Sequence, residues 1–263
     1  MRRRHQHGKS VVGHLLISAS VTILGAAASH AATPSDPAAA CASLVNLSSF
    51  PVKPTQITLA KFNPAGTTKS ANDVALPDHC QVQGIINKRV GTDGFPYGDS
   101  FEVRLPAQWN GRFMFQGGGG TEGAVPAATG TAGTLSPTLA HGWAVASQDG
   151  GHENKDLPVP NQFFLDPQAI VDHAYGSIDA TTQTAKFLID AYYGQRPNRS
   201  YFVGCSTGGR QGMVFSQNFP DYFDGIVAGD PVYDLEAIAL SEDWGVQAIE
   251  AITPAPVEKL PKG

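Results

Sequence analysis

Ser206 stands in the stretch Gly204-Cys205-Ser206-Thr207-Gly208, a setting in which a serine can act as a nucleophile. A hydroxyl attacks poorly unaided, so it needs a base to take its proton and donors to hold the oxyanion that forms on a substrate carbonyl. The flanking glycines serve geometry: a strand that turns sharply into a helix with the serine at its tip leaves room only for small neighbours. Here "YFV" reads as the incoming strand, and "TGGRQGMVFSQNF" as a helix stopped at Pro220. The same pattern also arises where a serine merely caps a helix, but the strand, the turn and a glycine loop elsewhere favour the nucleophile.

That loop is "FMFQGGGGTEG", residues 113–123. Four glycines after a strand let backbone N–H groups approach a carbonyl oxygen, and one of Gly117 to Gly120, with Gly118 and Gly119 as the central candidates, joins the N–H of Thr207 as an oxyanion donor. The loop also fits a rival pattern. Gly118-x-Gly120-x-x-Gly123, with Asp149 ending the next strand, matches a dinucleotide fingerprint and would make the protein a nucleotide-dependent oxidoreductase. That fingerprint needs a helix opening at the glycines. Instead "AVPAATGTAGTLSPT" follows, with two prolines, two glycines and no amphipathic period, so the match is read as accidental.

The base is harder to find. Histidines stand at 5, 7, 14, 30, 79, 141, 152 and 173, all before Ser206. His152, in "QDGGHE", ends a strand expected to neighbour the site and is the one upstream candidate; the preferred reading is a structural histidine. His173, within a helix, reads as a surface or packing residue, and Asp230, before Pro231, as a turn or cap residue. Of three cysteines, Cys41 and Cys80 are expected to close a disulfide loop of roughly 40 residues, contributing about 3 to 4 kcal/mol. Cys205 is then left unpaired beside the nucleophile.

"GCSTGGRQG" followed by "FPDYFDGIVAGDP", with "FMFQGGGGTEG", "WAVASQDGGH" and "AKFLIDAYYG" upstream, resembles the tannase and feruloyl esterase family of α/β-hydrolases over roughly residues 41–240. The resemblance implies a secreted carboxylic ester hydrolase for gallate, hydroxycinnamate or similar aromatic esters. It implies Ser206 as nucleophile and Thr207 as an oxyanion donor. It also implies a disulfide from the cysteine before the serine to one beside the catalytic histidine, and an inserted lid that often holds calcium. The order serine, acid, histidine departs from what stands here, since neither a histidine nor a cysteine follows Cys205. The expectation is an amino-terminal fragment, with base and acid beyond Gly263, no cofactor of its own and negligible esterase activity alone. The alternative is a non-catalytic hydrolase-fold protein that binds aromatic ligands.

The elements that must position these residues begin at residue 101. "FEVRLP", "GRFMFQGG", "GWAVASQD", "SYFVGCS" and "DGIVAGDP" read as strands. One long helix fits between the third and fourth, capped by Asp166, with Pro167 in its first turn and Gly194 at its end. Ile170, Ala174, Ile178, Thr181, Ala185, Leu188 and Tyr192 recur at helical spacing and predict its buried face. This order predicts an α/β-hydrolase-type, mostly parallel sheet, truncated before the lid and last strands, whose carboxyl-end loops carry the site. Stretches 32–40, 63–72 and 124–138 read as loops.

Residues 1–31 read as an export signal: Arg2, Arg3, Arg4 and Lys9, a mostly apolar run from Val11 to Ala28, then Ser29-His30-Ala31. Its removal leaves 14 basic against 23 acidic residues, net −9. Such a surface is a poor match for nucleic acid, and no other segment is apolar enough to span a membrane. The expected organisation is a signal over 1–31, a hydrolase domain over 32–240 and the start of a lid or a truncated tail over 241–263, in a secreted or periplasmic protein. No group of acids has calcium-ligand spacing.

Overall fold

The computed structural model describes residues 33–52, 54–130 and 136–252. The export signal lies outside them, as does the tail from residue 253. A short helix, α1 (Pro37–Ser43), precedes three long strands, β1 (Thr55–Asn63), β2 (His79–Val90) and β3 (Pro96–Pro106). Then come β4 (Arg112–Gln116), β5 (Ala144–Gln148), α2 (Pro167–Val171), α3 (Ser177–Tyr193), β6 (Arg199–Cys205), α4 (Thr207–Asn218), β7 (Gly225–Gly229) and α5 (Leu235–Ile252).

All seven strands form one sheet in the order β1-β2-β3-β5-β4-β6-β7. The strands β5, β4, β6 and β7 run parallel, whereas β1, β2 and β3 join antiparallel and β3 pairs antiparallel with β5. This is the α/β sheet expected from the alternation of strands and helices, and all five expected strands are present. The pair β1–β2 was not foreseen, and 32–40 holds a helix rather than a loop. Asp36 caps α1, accepting from the Ala39 N–H at 2.9 Å, with Pro37 in the first turn.

The central strands β4 and β5 are covered on both faces. Phe113, Phe115, Phe202, Phe215 and Phe223 meet in the core, with Phe115 and Phe202 centroids 5.6 Å apart. Trp109 stacks on Tyr193 at 4.1 Å, and the Tyr193 hydroxyl donates to the Pro106 carbonyl at 2.7 Å, joining α3 to the end of β3. In "FEVRLP" the alternation predicts one wet face, yet Glu102 and Arg104 are buried. The stretch after the glycine loop folds over that face, where Glu102 accepts from Gln81, Gln83, Arg104 and the Ala128 N–H. The polar residues pair under it rather than facing water.

The long helix is interrupted. Asp166 caps α2 through the Ala169 N–H at 2.8 Å, and Gly194 ends α3 at φ 69°, both as expected. Between them Asp172–Gly176 forms a π-turn. One extra residue shifts the register, so Ile178, Thr181, Ala185, Leu188 and Tyr192 are buried but Ile170 is 42% exposed. His173, read as surface or packing, is buried in the π-turn.

Cys41 and Cys80 form the expected disulfide, with Cα atoms 5.5 Å apart, fastening α1 to the start of β2. At the other end of the chain, α5 carries no buried residue, and the boundary expected after residue 240 falls within it. Its exposed apolar side chains include Leu240, Trp244 and Ile252, and it adjoins β7, an edge strand with Val227 exposed. Among the described residues no helix is long and apolar enough to cross a membrane.

Candidate active site

The parallel strands deliver four loops to one end of the sheet. Gly117 follows β4, Asp149 and His152 follow β5, Ser206 follows β6 and Asp230 follows β7. Because β5, β4, β6 and β7 point the same way, these loops share a rim, as the connection order requires.

Ser206 occupies φ 58°, ψ −119°, a region unfavourable for any side chain. Such a residue costs on the order of 1 to 3 kcal/mol and persists only where its surroundings over-determine it. Here they do. The Ser206 N–H donates to the Gly229 carbonyl at 3.0 Å, while its own carbonyl accepts from Arg210 at 3.0 Å and Val232 at 3.3 Å. The glycines explain the sequence spacing: a Cβ on Gly204 would lie 2.6 Å from the Gly208 carbonyl, and one on Gly208 would lie 2.8 Å from the Gly118 carbonyl oxygen. The turn closes only because Gly204 and Gly208 both lack a side chain. Ser206 is half-buried at the head of the 12-residue α4, and its hydroxyl has no hydrogen-bond partner among the described residues.

The glycine loop docks on the first turn of α4. Gly208 donates to the Gly118 carbonyl at 3.0 Å, and the Thr207 hydroxyl donates to the Gly120 carbonyl. These two bonds bracket the peptide of Gly119. The expected donors separate at this point. The Gly118 N–H donates to the side-chain oxygen of Gln211 at 3.1 Å. The Gly119 N–H carries no such bond, and the Thr207 N–H, in the first turn of α4, has no intrahelical acceptor. Of the three expected donors, Gly119 and Thr207 keep open N–H groups, whereas that of Gly118 is bonded to Gln211. No helix opens at Gly118, so the backbone arrangement of a dinucleotide fingerprint is missing.

The histidines divide by position. His79 begins β2 and His141 precedes β5, both at the far end of the sheet. His152 and His173 lie at the near end but face inward. His152 stacks on Phe163 at 4.0 Å, and neither of its ring nitrogens has a partner. It packs on an aromatic ring inside the protein. Burial lowers its pKa and that of His173, the latter to about 3 with help from the Arg210 charge and His152. Asp149 is also structural: it accepts from Gly151 at 2.9 Å and Ser100 at 3.1 Å, and burial keeps its carboxyl raised. Asp230 is exposed at φ 38° just past β7, a turn position. Cys205 is exposed and unpaired. Among the described residues no group of three or more His, Cys, Asp or Glu is arranged to hold a metal.

Sequence reading missed the polar residues beneath the rim. Glu122 lies between Gln148 and Gln211, receiving a hydrogen bond from each amide. Arg210 donates to the carbonyls of His173 and Ala174 at 3.1 Å, satisfying groups that the π-turn leaves open. The one available signal was Glu122 itself, a lone acid among glycines.

A family model described as tannase and feruloyl esterase matches residues 80–259. The chain is similar to the mono(2-hydroxyethyl) terephthalate hydrolase of Piscinibacter sakaiensis, 46% identical over 187 residues, covering 68% of this chain and 31% of that protein. It is also similar to the Probable feruloyl esterase B-2 of Aspergillus flavus, 30% identical over 188 residues, covering 68% and 34%. Among solved structures, feruloyl esterase B from Aspergillus oryzae superposes with a TM-score of 0.61 at 26% identity, covering 74% of this chain and 37% of that one. The chain thus spans about a third of the length of the curated relatives it matches. With an α/β sheet, a serine turn and a glycine loop in the places the resemblance implied, this chain belongs to the tannase and feruloyl esterase family of ester hydrolases.

Proposed function

We propose that these residues carry the nucleophile and the oxyanion site of an exported serine esterase acting on aromatic carboxylic esters. The observation that carries this reading is Ser206, held at φ 58° with a free hydroxyl beside the open amides of Gly119 and Thr207. The serine oxygen attacks the ester carbonyl carbon, the carbonyl electrons move to the oxygen held by those two amides, and the serine proton passes to a general base. Collapse expels the alcohol, which takes up that proton, and water then hydrolyses the acyl-enzyme.

In this reading the base and its orienting acid come from polypeptide outside residues 1–263, because both near histidines are packed inward. Aromatic acyl groups are supported by the printed names of the relatives, a terephthalate monoester hydrolase and feruloyl esterases. Export is supported by the Cys41–Cys80 disulfide and the features of residues 1–31.

The test is hydrolysis of methyl ferulate, methyl gallate and mono(2-hydroxyethyl) terephthalate by the full-length product of the gene encoding this chain. Turnover that disappears in Ser206→Ala supports the reading. Turnover that survives Ser206→Ala, or none on any aromatic ester, removes it.

A further inference from the structure

Beneath the glycine loop a chain of hydrogen bonds runs from one strand to the nucleophile helix. The Gly150 N–H donates to the side-chain oxygen of Gln148, at the end of β5. The Gln148 amide nitrogen donates to one oxygen of Glu122, and the Gln211 amide nitrogen donates to the other. The side-chain oxygen of Gln211 in turn accepts the Gly118 N–H at 3.1 Å. Both glutamines are thus oriented by backbone donors, which need their oxygens, so both turn an amide nitrogen toward Glu122. The site at position 122 must accept twice.

We propose that Glu122 is the positioning residue of the oxyanion loop: acting through Gln211, its carboxylate fixes Gly118 and so sets the Gly119 amide opposite Thr207. The inference rests on the esterase reading. Its support is geometric. Gly118 is pinned at its N–H by Gln211 and at its carbonyl by Gly208, and a Cβ there would lie 2.4 Å from the Glu122 carboxylate. The backbone of Glu122 holds the loop as well, its N–H donating to the Gly119 carbonyl at 3.0 Å and its carbonyl accepting from Asn154 at 3.1 Å. Glu122 itself sits at φ 61°, a conformation rare for a side-chain-bearing residue. Burial lifts its carboxyl to about 8, opposed by the Gln148 amide, the Arg210 charge and the Gln211 amide.

Glu122→Gln breaks the pattern by parity. The new amide presents one donor where two donors already point: turned toward Gln211 it drives the Gln211 nitrogen onto the Gly118 N–H, and turned toward Gln148 it drives the Gln148 nitrogen onto the Gly150 N–H. The paired change Glu122→Gln with Gln211→Glu restores every bond, since the carboxylate moves to position 211 and accepts from both Gly118 and the amide at 122.

The experiment measures kcat and KM for methyl ferulate with the full-length gene product at pH 9, where the Glu122 carboxyl is ionised. Ser206→Ala serves as a control, and crystal structures are determined for wild type, single and paired variants. Glu122→Gln is expected to lower kcat about 10- to 100-fold with KM within about twofold, the signature of a misplaced transition-state donor. The paired variant recovers most of that loss. In the single variant the Gly118 N–H leaves hydrogen-bonding distance of residue 211, and in the paired one it returns. A displaced Gly118 with unchanged kcat, a lowered kcat with Gly118 unmoved, or a paired variant no better than an impaired single one overturns the proposal. If Glu122→Gln does not fold, or turns Gln148 and leaves Gly118 in place, Gln211→Leu carries the test, and an unchanged kcat there overturns the proposal. If wild type and Ser206→Ala are equally inactive, the esterase reading fails, while the position of Gly118 in the variant structures still decides the role of Glu122.

Discussion

The hydroxyl of Thr207 donates to the carbonyl of Gly120, so the residue after Ser206 holds the glycine loop against the first turn of α4. One side chain thus links α4 to the segment after β4, and its own N–H remains open beside Ser206. Thr207→Val keeps the shape and the N–H but removes the donor. It leaves a carbonyl without its partner, at a cost of about 1 to 3 kcal/mol. Steady-state kinetics on an aromatic ester should show kcat falling about tenfold with KM little changed. A variant as active as wild type would mean that the remaining loop contacts suffice.

Gly208→Ala tests the same junction from the other side. The added methyl meets the Gly118 carbonyl oxygen at 2.8 Å and the Gly117 backbone at 3.2 Å, where neither can retreat without moving the loop. Overpacking of this kind costs about 1 to 3 kcal/mol. Thermal melting should fall by several degrees, and activity should fall by more than the melting shift explains. Retained activity at 25 °C would show that the loop tolerates displacement.

The amino-terminal disulfide closes a span of 39 residues between α1 and β2. Cys41→Ser with Cys80→Ser should lower the unfolding free energy by about 3 to 4 kcal/mol in urea titrations. The same loss should appear when wild type is titrated with reductant present. Because the bridge sits at the end of the sheet away from Ser206, kcat should change little in folded protein.

Asp99 gives the structure a pH dependence of its own. Its carboxyl is buried, faces Asp172, and has one oxygen without a partner; burial first and Asp172 second lift its pKa to about 8, against Arg89. The folded protein keeps this proton where the unfolded chain, with an ordinary carboxyl near 4, has released it. The contribution is therefore full below pH 4 and is lost as pH rises to about 8. Asp99→Asn imitates the protonated group, so its stability relative to wild type should climb through that window. Glu122 and Asp149 titrate in the same direction, and His173, lowered to about 3, in the opposite one. The informative quantity is therefore the difference between variant and wild type at each pH. A flat difference would show that Asp99 stays ionised.

What could be read from sequence follows the physics of each signal. The strands ending at Gln116, Gln148, Cys205 and Gly229 are short apolar runs stopped by glycine or polar residues, and such runs have few alternatives. Ser206, Thr207 and the glycine loop were legible because close packing admits only small residues at fixed spacing. The π-turn at Asp172–Gly176 was not, since apolar periodicity records which face is buried but not an extra residue within the turn. Nor was the role of Gly118 rather than Gly119, because it depends on Gln211, whose approach is a matter of tertiary structure. The burial of Glu102 was hidden for the same reason: its cover arrives from a loop more than twenty residues away.

The contact between Gly204, Gly208 and Gly118 also bears on the order in which the chain assembles. The loop after β4 and the head of α4 lie about ninety residues apart, yet neither can take its final form without the other, since each occupies the space where a side chain would be. Local propensity cannot build this junction early, because "TGGRQG" is glycine-rich and its first residue follows a strained serine. Pairing of β4 with β6 must bring the two segments together first. The turn at Ser206 is therefore expected to complete only after the central sheet has formed.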